Sequence, residues 1–329
     1  MPENEFEWIN KHTPKTYHHD GLVEGIGDDA AVYAYESNYD DILCVDMMIE
    51  EVHFKKQTMS PKDIGHKALA VNISDIAAMG GIPVYFMVSI ALPKHWSDEE
   101  LSEIYEGMNT LADLYDMDMI GGDTVSSPHE LMISVTVHGR VEKGCHVVRR
   151  NAAPGDIVFL TNPTGRSAAG LHLLLDRGRW ADYTKQEQKL LSYHQKPVPR
   201  VEEGRIISGF QLPASLNDIS DGLASEANEL AEASNISIEL VKSQIPLAEE
   251  LTLFSEDQYW DWIFYGGEDF ELIGTIRETD WPVLQKKIQE KGLNIYQIGR
   301  VKEGPASVTL MDGEQEIKLE KQGYNHFKS

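Results

Sequence analysis

The spacing of apolar residues changes several times along the chain, and each change predicts a structural element. GIGDDAAVY and DDILCVDMMI contain short apolar runs bounded by Gly and Asp, which predict strands with functional turns between them. From Ser60 the spacing becomes helical. Ser60, Pro61 and Asp63 form a helix start of the capping-box type, and the segment continues through HKALAVNISDIAAM to a stop at Gly80-Gly81.

The rest of the first half continues this mixture of helix and strand. Val84 to Leu92 is strand-like, Ser97-Asp98-Glu99-Glu100 opens a second capping-box helix to about Tyr115, and MDMI and LMISVTVHGRV predict two more strands.

One uncharged run, from Ile76 to Leu92, approaches the length of a membrane span. Gly80-Gly81 and Pro83 interrupt it, and it is shorter than the roughly 20 apolar residues that a span needs. We interpret it as a helix end, a turn and a buried strand, and we predict no membrane association.

The pattern restarts near residue 150, where AAPGD predicts a turn. IVFLTNPTGRSAAGLHLLL then predicts strand, loop and helix, SLNDISDGLASEANELAEA repeats that order, and YGGEDFELIGTI and IYQIGRV predict further strands. The sequence therefore predicts an α/β protein with two domains, residues 1–150 and 151–329.

Composition narrows the classes of function. The 329 residues carry a net charge of −25, which would repel a nucleic-acid backbone, so we predict no nucleic-acid partner. Cys44 and Cys145 form no CxxC pattern, which indicates a reducing compartment, and the start MPENEFEWIN lacks the features of a signal peptide. We expect a cytoplasmic protein.

One aspartate lies where an apolar residue is expected. In the helix from Pro61, the stripe Ile64, Ala68, Val71, Asp75 and Met79 places Asp75 among apolar neighbours. An ionised carboxylate there costs several kcal/mol unless it is paired, hydrogen-bonded or bound to a metal. Asp75 is either a satisfied helix-end residue or a functional one.

Other acids follow apolar runs. Asp28-Asp29 follow GIG, Asp46 follows ILCV, and Asp123 follows IGG, so we expect each at the end of a strand, where α/β folds place ligands. Gly-Asp is also ordinary turn chemistry. In DISDG, Asp218 and Asp221 flank Ser220 before a helix, where they either cap the helix or hold cations beside its phosphate-attracting N-terminus.

Dispersed aspartates without His or Cys partners suit Mg²⁺, and together they suggest phosphoryl transfer. The usual phosphate motifs are missing. The sequence contains no GxxxxGK[ST], no HRD precedes Asp269-Phe270-Glu271, and Gly25-x-Gly27-x-x-Ala30 would set two acids against a pyrophosphate.

Seven segments together carry a resemblance: GIGDDAAV, DMMIEEVHF, KALAVNISDIAAMG, IGGDT, RRNAAPGD, NDISDGL and GGEDFEL. In that order and at those intervals the chain resembles the thiamine-monophosphate kinase family of the aminoimidazole-ribonucleotide synthetase-like superfamily. The resemblance implies an N-terminal α/β domain that pairs with its copy in a homodimer, and a C-terminal α/β domain that closes over the nucleotide. It implies transfer of the γ-phosphate of ATP to thiamine monophosphate, by in-line attack with several Mg²⁺ ions.

The resemblance also implies roles for particular residues. Metal ligation would fall to Asp29, Asp46, Asp75, Asp123, Asp218 and Asp221, of which Asp29, Asp75, Asp123 and Asp218 would be catalytic. ATP would be contacted by Gly122, Asp123, Arg149 and Ser220, with Tyr105 near the adenine, and thiamine monophosphate by His53, Glu268 and Tyr324.

The chain departs from the family at Cys44-Val45-Asp46, where relatives often have Ser-Thr-Asp, and we do not expect Cys44 to bind magnesium. The nearest alternatives are enzymes of the same fold: aminoimidazole-ribonucleotide synthetase, formylglycinamidine synthetase, selenophosphate synthetase and the hydrogenase maturation carbamoyl dehydratase. Selenophosphate synthetase would need a reactive Cys in an N-terminal Gly-rich loop, and the hydrogenase maturation protein a C-terminal Cys. A metal-dependent nucleotide-binding regulator without turnover is the alternative from another class.

Overall fold

The structure is a computed structural model that describes residues 22–24, 28–29, 31–34, 38–210 and 213–322. In the first half, β1 to β3, helix α1, strand β4, helix α2, β5 and β6 follow in that order. Their bounds are Leu22–Glu24, Ala31–Ala34, Tyr39–Ile49, Pro61–Ala78, Ile82–Leu92, Asp98–Leu114, Asp118–Ser126 and Met132–Glu142. The strands form a six-stranded sheet of order β1-β2-β3-β6-β4-β5, in which β4 and β5 are parallel.

The second half contains a seven-stranded sheet of order β13-β12-β9-β11-β7-β10-β8. Its strands β7 to β13 are Ile157–Leu160, Ser215–Asp218, Ser237–Val241, Leu272–Ile276, Tyr296–Lys302, Ser307–Asp312 and Gln315–Leu319. Its helices α3 to α8 are Arg166–Arg177, Lys185–Gln195, Val201–Ser208, Leu223–Ser234, Glu256–Tyr265 and Trp281–Glu290, and short 3-10 helices cover Arg149–Asn151, Lys242–Gln244 and Glu249–Leu253.

Helix α1 is the central element, and the structure confirms its predicted start. The Asp63 N–H donates to Ser60 Oγ at 3.2 Å, which caps the first turn. Helix α2 crosses α1 closely, because a Cβ on Gly65 would lie 1.8 Å from Ile104 O and one on Gly107 would lie 1.9 Å from Lys62 O. Helix α1 also contacts β3, α5 and β8, so it connects the two halves.

Strand β4 confirms that Val84 to Leu92 is a strand, but the prediction that this strand is buried is wrong for one of its faces. Phe86, Val88 and Ile90 are buried, but Tyr85 and Met87 on the alternate face are exposed. One face is open because helices pack on only one side of this sheet, as antiparallel sheets allow.

The open side also includes part of β3. Leu43, Val45 and Met47 are exposed, whereas Cys44 and Met48 on the opposite side are buried. We call this open side, defined by Leu43, Val45, Met47, Tyr85 and Met87, the outer face of the first sheet.

Among the described residues, no helix is long and apolar enough to cross a membrane.

Candidate active site

A cleft of about 730 Å³ lies between the two halves of the molecule. Nine of the residues singled out in the sequence contribute to its lining: Asp29, Asp46, His53, Asp75, Arg149, Asp218, Ser220, Asp221 and Glu268. Asp46 and Asp218 lie on strands of the two sheets and Asp75 lies on α1, whereas the others lie in loops and in the 3-10 helix Arg149–Asn151. The fold therefore brings together residues that are up to about 240 positions apart in the sequence.

Three aspartates form the acidic centre of the cleft. One carboxylate oxygen each from Asp29, Asp75 and Asp218 lies within 4.8 Å of the other two. Asp29 precedes β2, Asp75 lies on α1, and Asp218 ends β8 and accepts a hydrogen bond from Ser74 Oγ at 2.6 Å. The apolar stripe of α1 thus delivers Asp75 to the cleft, which favours the functional alternative for this residue.

Two acids do not lie where the sequence analysis placed them. Asp46 lies within β3 and Asp123 within β5, and neither is at a strand end. The apolar runs stop at these residues because each acid interrupts the run of apolar side chains, while the backbone ladder continues past it. The prediction of strand ends is wrong at both positions.

Burial and mutual repulsion raise the pKa values of the carboxyl groups in the three-aspartate group. Desolvation raises the pKa of Asp75 well above its usual range, and the charges of Asp46, Asp218 and Asp29 raise it further. Desolvation likewise raises the pKa of Asp29, although Arg149 opposes the shift. Such a cluster repels itself unless a cation or protons neutralise it.

Arg149 supplies part of that neutralisation. Its guanidinium pairs with Asp29, lies 2.7 Å from Glu229 Oε2, and donates from Nε to Asn217 Oδ1 at 3.0 Å. Although burial lowers the pKa of Arg149, the neighbouring carboxylates raise it above its ordinary value, so the side chain stays charged. One guanidinium cannot balance all the acids around it.

The donor set fits divalent magnesium. Asp29 Oδ2 is buried and has no hydrogen-bond partner among the described residues, so this carboxylate oxygen keeps unused capacity as an acceptor. The donors of the three-aspartate group are carboxylate oxygens, the ligands that hard cations prefer. The buried Cys44 thiol instead donates to Asn72 O at 3.3 Å.

We expect Asp46→Asn to stabilise the metal-free protein at pH 8. Burial, followed by the charge of Asp218, raises the pKa of Asp46 from 3.8 to about 6. The folded state therefore binds a proton more tightly than the unfolded chain, and wild-type stability falls as pH rises through this window. The variant should gain up to about 3 kcal/mol at pH 8, and the gain should shrink at pH 5.

Urea unfolding in EDTA at both pH values measures this difference, with Asp113→Asn on the exposed side of α2 as the control. An equal free energy of unfolding for Asp46→Asn and wild type at pH 8 would contradict the assigned environment of Asp46.

The residue at the N-cap of α6 is Gly222, so none of Asp218, Ser220 and Asp221 occupies the N-cap position of that helix. The Asp221 N–H instead donates to Glu226 Oε1 at 3.1 Å. The sequence analysis missed Glu226 and Glu229, which look like a solvated face of an amphipathic helix.

The opposite end of the cleft has a different character. Glu268 Oε1 lies 2.7 Å from Nζ of the buried Lys67, and His53 accepts the Ile49 N–H at Nδ1 at 3.0 Å. Val52, Leu171, Leu175 and Phe270 add apolar surface to the lining there. The sequence analysis missed Lys67, although its position four residues before Val71 and eight before Asp75 was a usable signal.

Three predicted residues do not contribute to the cleft lining of the single chain. Gly122 and Asp123 lie on β5, and Tyr105 packs on the core of the first half from α2. Gly122 shares a cross-strand row with Asp46, but β6 and β4 lie between their strands, which gives about 14 Å at about 4.8 Å per strand. Tyr324 lies outside the described residues.

The domain models of known families match the chain in tandem. AIR synthase related protein, N-terminal domain, matches residues 27–141, and AIR synthase related protein, C-terminal domain, matches residues 153–311. The fold and the cleft thus define a two-domain α/β protein of the AIR synthase related class, which confirms the predicted fold.

Individual relatives narrow the class. Thiamine-monophosphate kinase of Bacillus subtilis (strain 168) is 49% identical over 326 residues, which are 99% of this chain and 100% of that protein. The solved structure "AaThiL complexed with AMPPCP and TMP" has a TM-score of 0.85 and 32% identity, covering 98% of this chain and 97% of that one. Thiamine-monophosphate kinase from Stenotrophomonas maltophilia K279a has a TM-score of 0.79 and 32% identity, with coverages of 90% and 92%. The chain belongs to the thiamine-monophosphate kinase family.

Proposed function

We propose that this protein transfers the γ-phosphate of ATP to the phosphate of thiamine monophosphate, giving thiamine diphosphate and ADP. The observation that carries the proposal is the group of three aspartates, one buried and two partly buried, beside Arg149 in the inter-domain cleft. Family membership supports it, as does the relative solved with AMPPCP, an ATP analogue, and TMP, which we read as thiamine monophosphate.

The chemistry suits a site built for alignment and charge neutralisation. The acceptor is a phosphate, which is already anionic and needs little help from a general base. His194 lies at the Glu268 end of the cleft, where burial lowers its pKa to about 3, so it stays neutral there. The role of the acidic end of the cleft, around the three aspartates, is to hold the γ-phosphate of ATP and the phosphate of thiamine monophosphate in line. Such alignment can supply much of the rate enhancement.

Several Mg²⁺ ions would be held by Asp29, Asp46, Asp75, Asp218 and Asp221, where they supply charge neutralisation to the polyphosphate. Arg149 is placed to bind phosphate oxygens once cations take over its acidic partners. Ser220 and the N-terminus of α6 add hydrogen-bond donors and a favourable dipole on the same side of the cleft.

The thiamine end of the substrate would bind at the other end of the cleft. Its ring system carries a permanent positive charge and an exocyclic amine, so a carboxylate beside apolar surface is the complementary environment. Glu268 supplies that carboxylate, and His53 completes the set within the lining. Tyr324 remains a prediction for the same end.

A homodimer is part of the proposal, and β5 gives the first argument for it. Strand β5 lies at the edge of the first sheet, and all nine of its residues, Asp118–Ser126, are exposed. The exposed residues include the apolar side chains of Met119, Ile120 and Val125. An exposed apolar edge strand invites pairing and is normally covered. The outer face beside it adds further exposed apolar side chains, so a second copy of this chain is the natural cover.

The second copy would also complete the site. Val45 and Met47 belong both to the outer face and to the cleft lining, so the cleft opens where a partner would sit. We infer that the partner's β5 brings Gly122 and Asp123 to this opening, with Tyr105 on the neighbouring helix. A domain boundary near residue 150 accords with this arrangement, since it falls between the two sheets. The cytoplasmic location stays a prediction.

An acceptor comparison tests the proposed function. We expect ADP release from ATP and Mg²⁺ with thiamine monophosphate, and little with thiamine or with formylglycinamidine ribonucleotide. Turnover with the purine precursor alone would leave the fold intact and replace the function. ATP binding without turnover on any of these acceptors would favour the regulator alternative.

A further inference from the structure

Lys67 is a buried cation on the central helix with one charged partner. Its side chain is 1% exposed, and Glu268 Oε1 at 2.7 Å is the only carboxylate within ion-pair distance among the described residues. A buried ammonium without a counter-charge is strongly unfavourable, so the position of Lys67 depends on Glu268. A buried ion pair adds little net stability compared with apolar packing, so stability alone is a weak reason for it.

The geometry of α1 links this pair to the acidic centre. Lys67, Val71 and Asp75 are four residues apart and lie on one face of the helix. Lys67 and Asp75 are therefore about 12 Å apart along the axis, at about 1.5 Å per residue. One rigid helix fixes the spacing between the phosphate end of the cleft and the Glu268 end.

The loop that carries Glu268 is also held rigidly. Glu268 has a φ of 67° and Phe270 a φ of 50°, both in the left-handed region. Hydrogen bonds hold this strained backbone: the Glu268 N–H donates to Ser220 O at 2.7 Å, and the Phe270 N–H to Ile219 O at 2.9 Å. Strain of this kind persists where the surrounding structure fixes it, often at functional sites.

Asp269, the next residue in the loop, is anchored to the start of α3. Asp269 accepts hydrogen bonds from the N–H groups of Gly165 and Ser167, at 2.5 and 3.0 Å, at the start of α3. Asp269 therefore serves the fold, and Glu268 is left as the loop's acid in the cleft.

His194 does not convert this group into a catalytic triad. Its Nδ1 lies 3.2 Å from Ser167 Oγ and 3.4 Å from Glu268 Oε2, so both contacts fall on the same nitrogen. A relay between nucleophile and acid would need the two opposite ring nitrogens. The charged group paired with Glu268 is therefore Lys67.

We propose that Lys67 is a positioning residue for substrate recognition: it holds the Glu268 carboxylate ionised and oriented towards the cationic, amine-bearing ring of the phosphate acceptor. This inference rests on the proposed function and deepens it. Glu268 is 30% exposed and faces the cleft. Its Oε1 is paired with Lys67, and its Oε2 lies 3.4 Å from the neutral His194 ring, so Oε2 can still accept a hydrogen bond from a ligand.

The proposal implies a particular dependence on pH. Burial raises the pKa of Glu268, but the Lys67 ammonium is the largest opposing influence and the net shift is downward, so the carboxylate is ionised throughout the neutral range. His194 on α4 and His53 in the turn after β3 also face Glu268, and burial keeps His194 neutral. Without the ammonium, burial dominates and the pKa of Glu268 rises.

The experiment is steady-state kinetics of Lys67→Met and Lys67→Arg between pH 6 and 9. We expect Lys67→Met to raise KM for thiamine monophosphate at least about tenfold at pH 7, with kcat and KM for ATP within about twofold of wild type. The defect should shrink as pH rises, because Glu268 ionises again. Lys67→Arg should restore a low KM, and Lys62→Met, an exposed lysine on the same helix, is the matched control.

Several results would overturn the proposal. A wild-type KM in Lys67→Met at every pH would do so, and so would a lower kcat at unchanged KM, which is the mark of a structural role. If Lys67→Met does not fold, Lys67→Gln carries the same expectations. Two measurements separate the failure of the proposed function from the failure of the role of Lys67. Absence of turnover of thiamine monophosphate by the wild-type protein would overturn the proposed function. Equal affinity of wild type and Lys67→Met for thiamine monophosphate in calorimetric titration would overturn only the role of Lys67.

Discussion

Asp75→Asn should lower kcat by about 10³-fold while leaving the protein folded. The substitution removes one carboxylate oxygen and one negative charge from the three-aspartate group. A decrease of about 10³-fold is the magnitude expected when a site loses a preorganised electrostatic group. The coupled ADP assay with saturating ATP and thiamine monophosphate measures it. Asp113→Asn, exposed on α2, should keep wild-type activity.

The stability of the same variant separates a metal ligand from a packing residue. Desolvation and three neighbouring acids raise the pKa of Asp75, so the ionised side chain strains the metal-free fold. Thermal unfolding in EDTA at pH 8 should therefore occur at a higher temperature for Asp75→Asn than for wild type. A variant that is both less stable and fully active would remove Asp75 from the site.

Mixing two inactive subunits should restore activity. If the cleft of one chain uses Asp123 of the other, a dimer of one Asp75→Asn and one Asp123→Asn chain keeps one intact site, built from the unchanged cleft and the unchanged β5. Random 1:1 mixing makes about half of the dimers mixed, and each has one working site of two, so about a quarter of wild-type activity returns. Each variant alone should be nearly inactive.

Co-expression of the two variants with different affinity tags, followed by purification through both tags, isolates the mixed dimer. Activity near half that of wild type in this fraction supports a shared site. An inactive mixed dimer would show that Asp123 acts within its own chain. A monomeric mass in light scattering at micromolar concentration would remove the dimer altogether.

The fold could be predicted where local signals and tertiary packing agree. Ser60 and the Gly80-Gly81 stop define α1 within two residues, because capping and helix termination are local effects. The position of Asp75 in the apolar stripe marked it as an unusual residue without any tertiary information, and the structure places it in the cleft lining.

The rest depends on contacts that periodicity does not encode. Asp46 looks like the end of a strand because the apolar run stops there, but the neighbouring strands continue the ladder. Glu226 and Glu229 read as surface residues until Arg149, nearly 80 positions away, packs against them. Lys67 gains its meaning only when the loop of Glu268 folds over α1.

The exposure of one side of the first sheet could not be predicted for a different reason. The strand pattern of β4 was correct, but whether its second face meets helices, solvent or another chain is a property of the assembly. The segment IGGDT carried the same ambiguity, since its acid could act only where something approaches β5.

The destination of the γ-phosphate tests the proposed reaction most directly. ATP carrying ¹⁸O at all four γ-phosphate oxygens is incubated with the protein, Mg²⁺ and thiamine monophosphate. The masses of the products are then measured by mass spectrometry. Direct transfer predicts thiamine diphosphate with three ¹⁸O atoms in its terminal phosphate, while the bridging ¹⁸O leaves with ADP. Label found only in inorganic phosphate, with no labelled thiamine diphosphate, would contradict phosphoryl transfer to thiamine monophosphate.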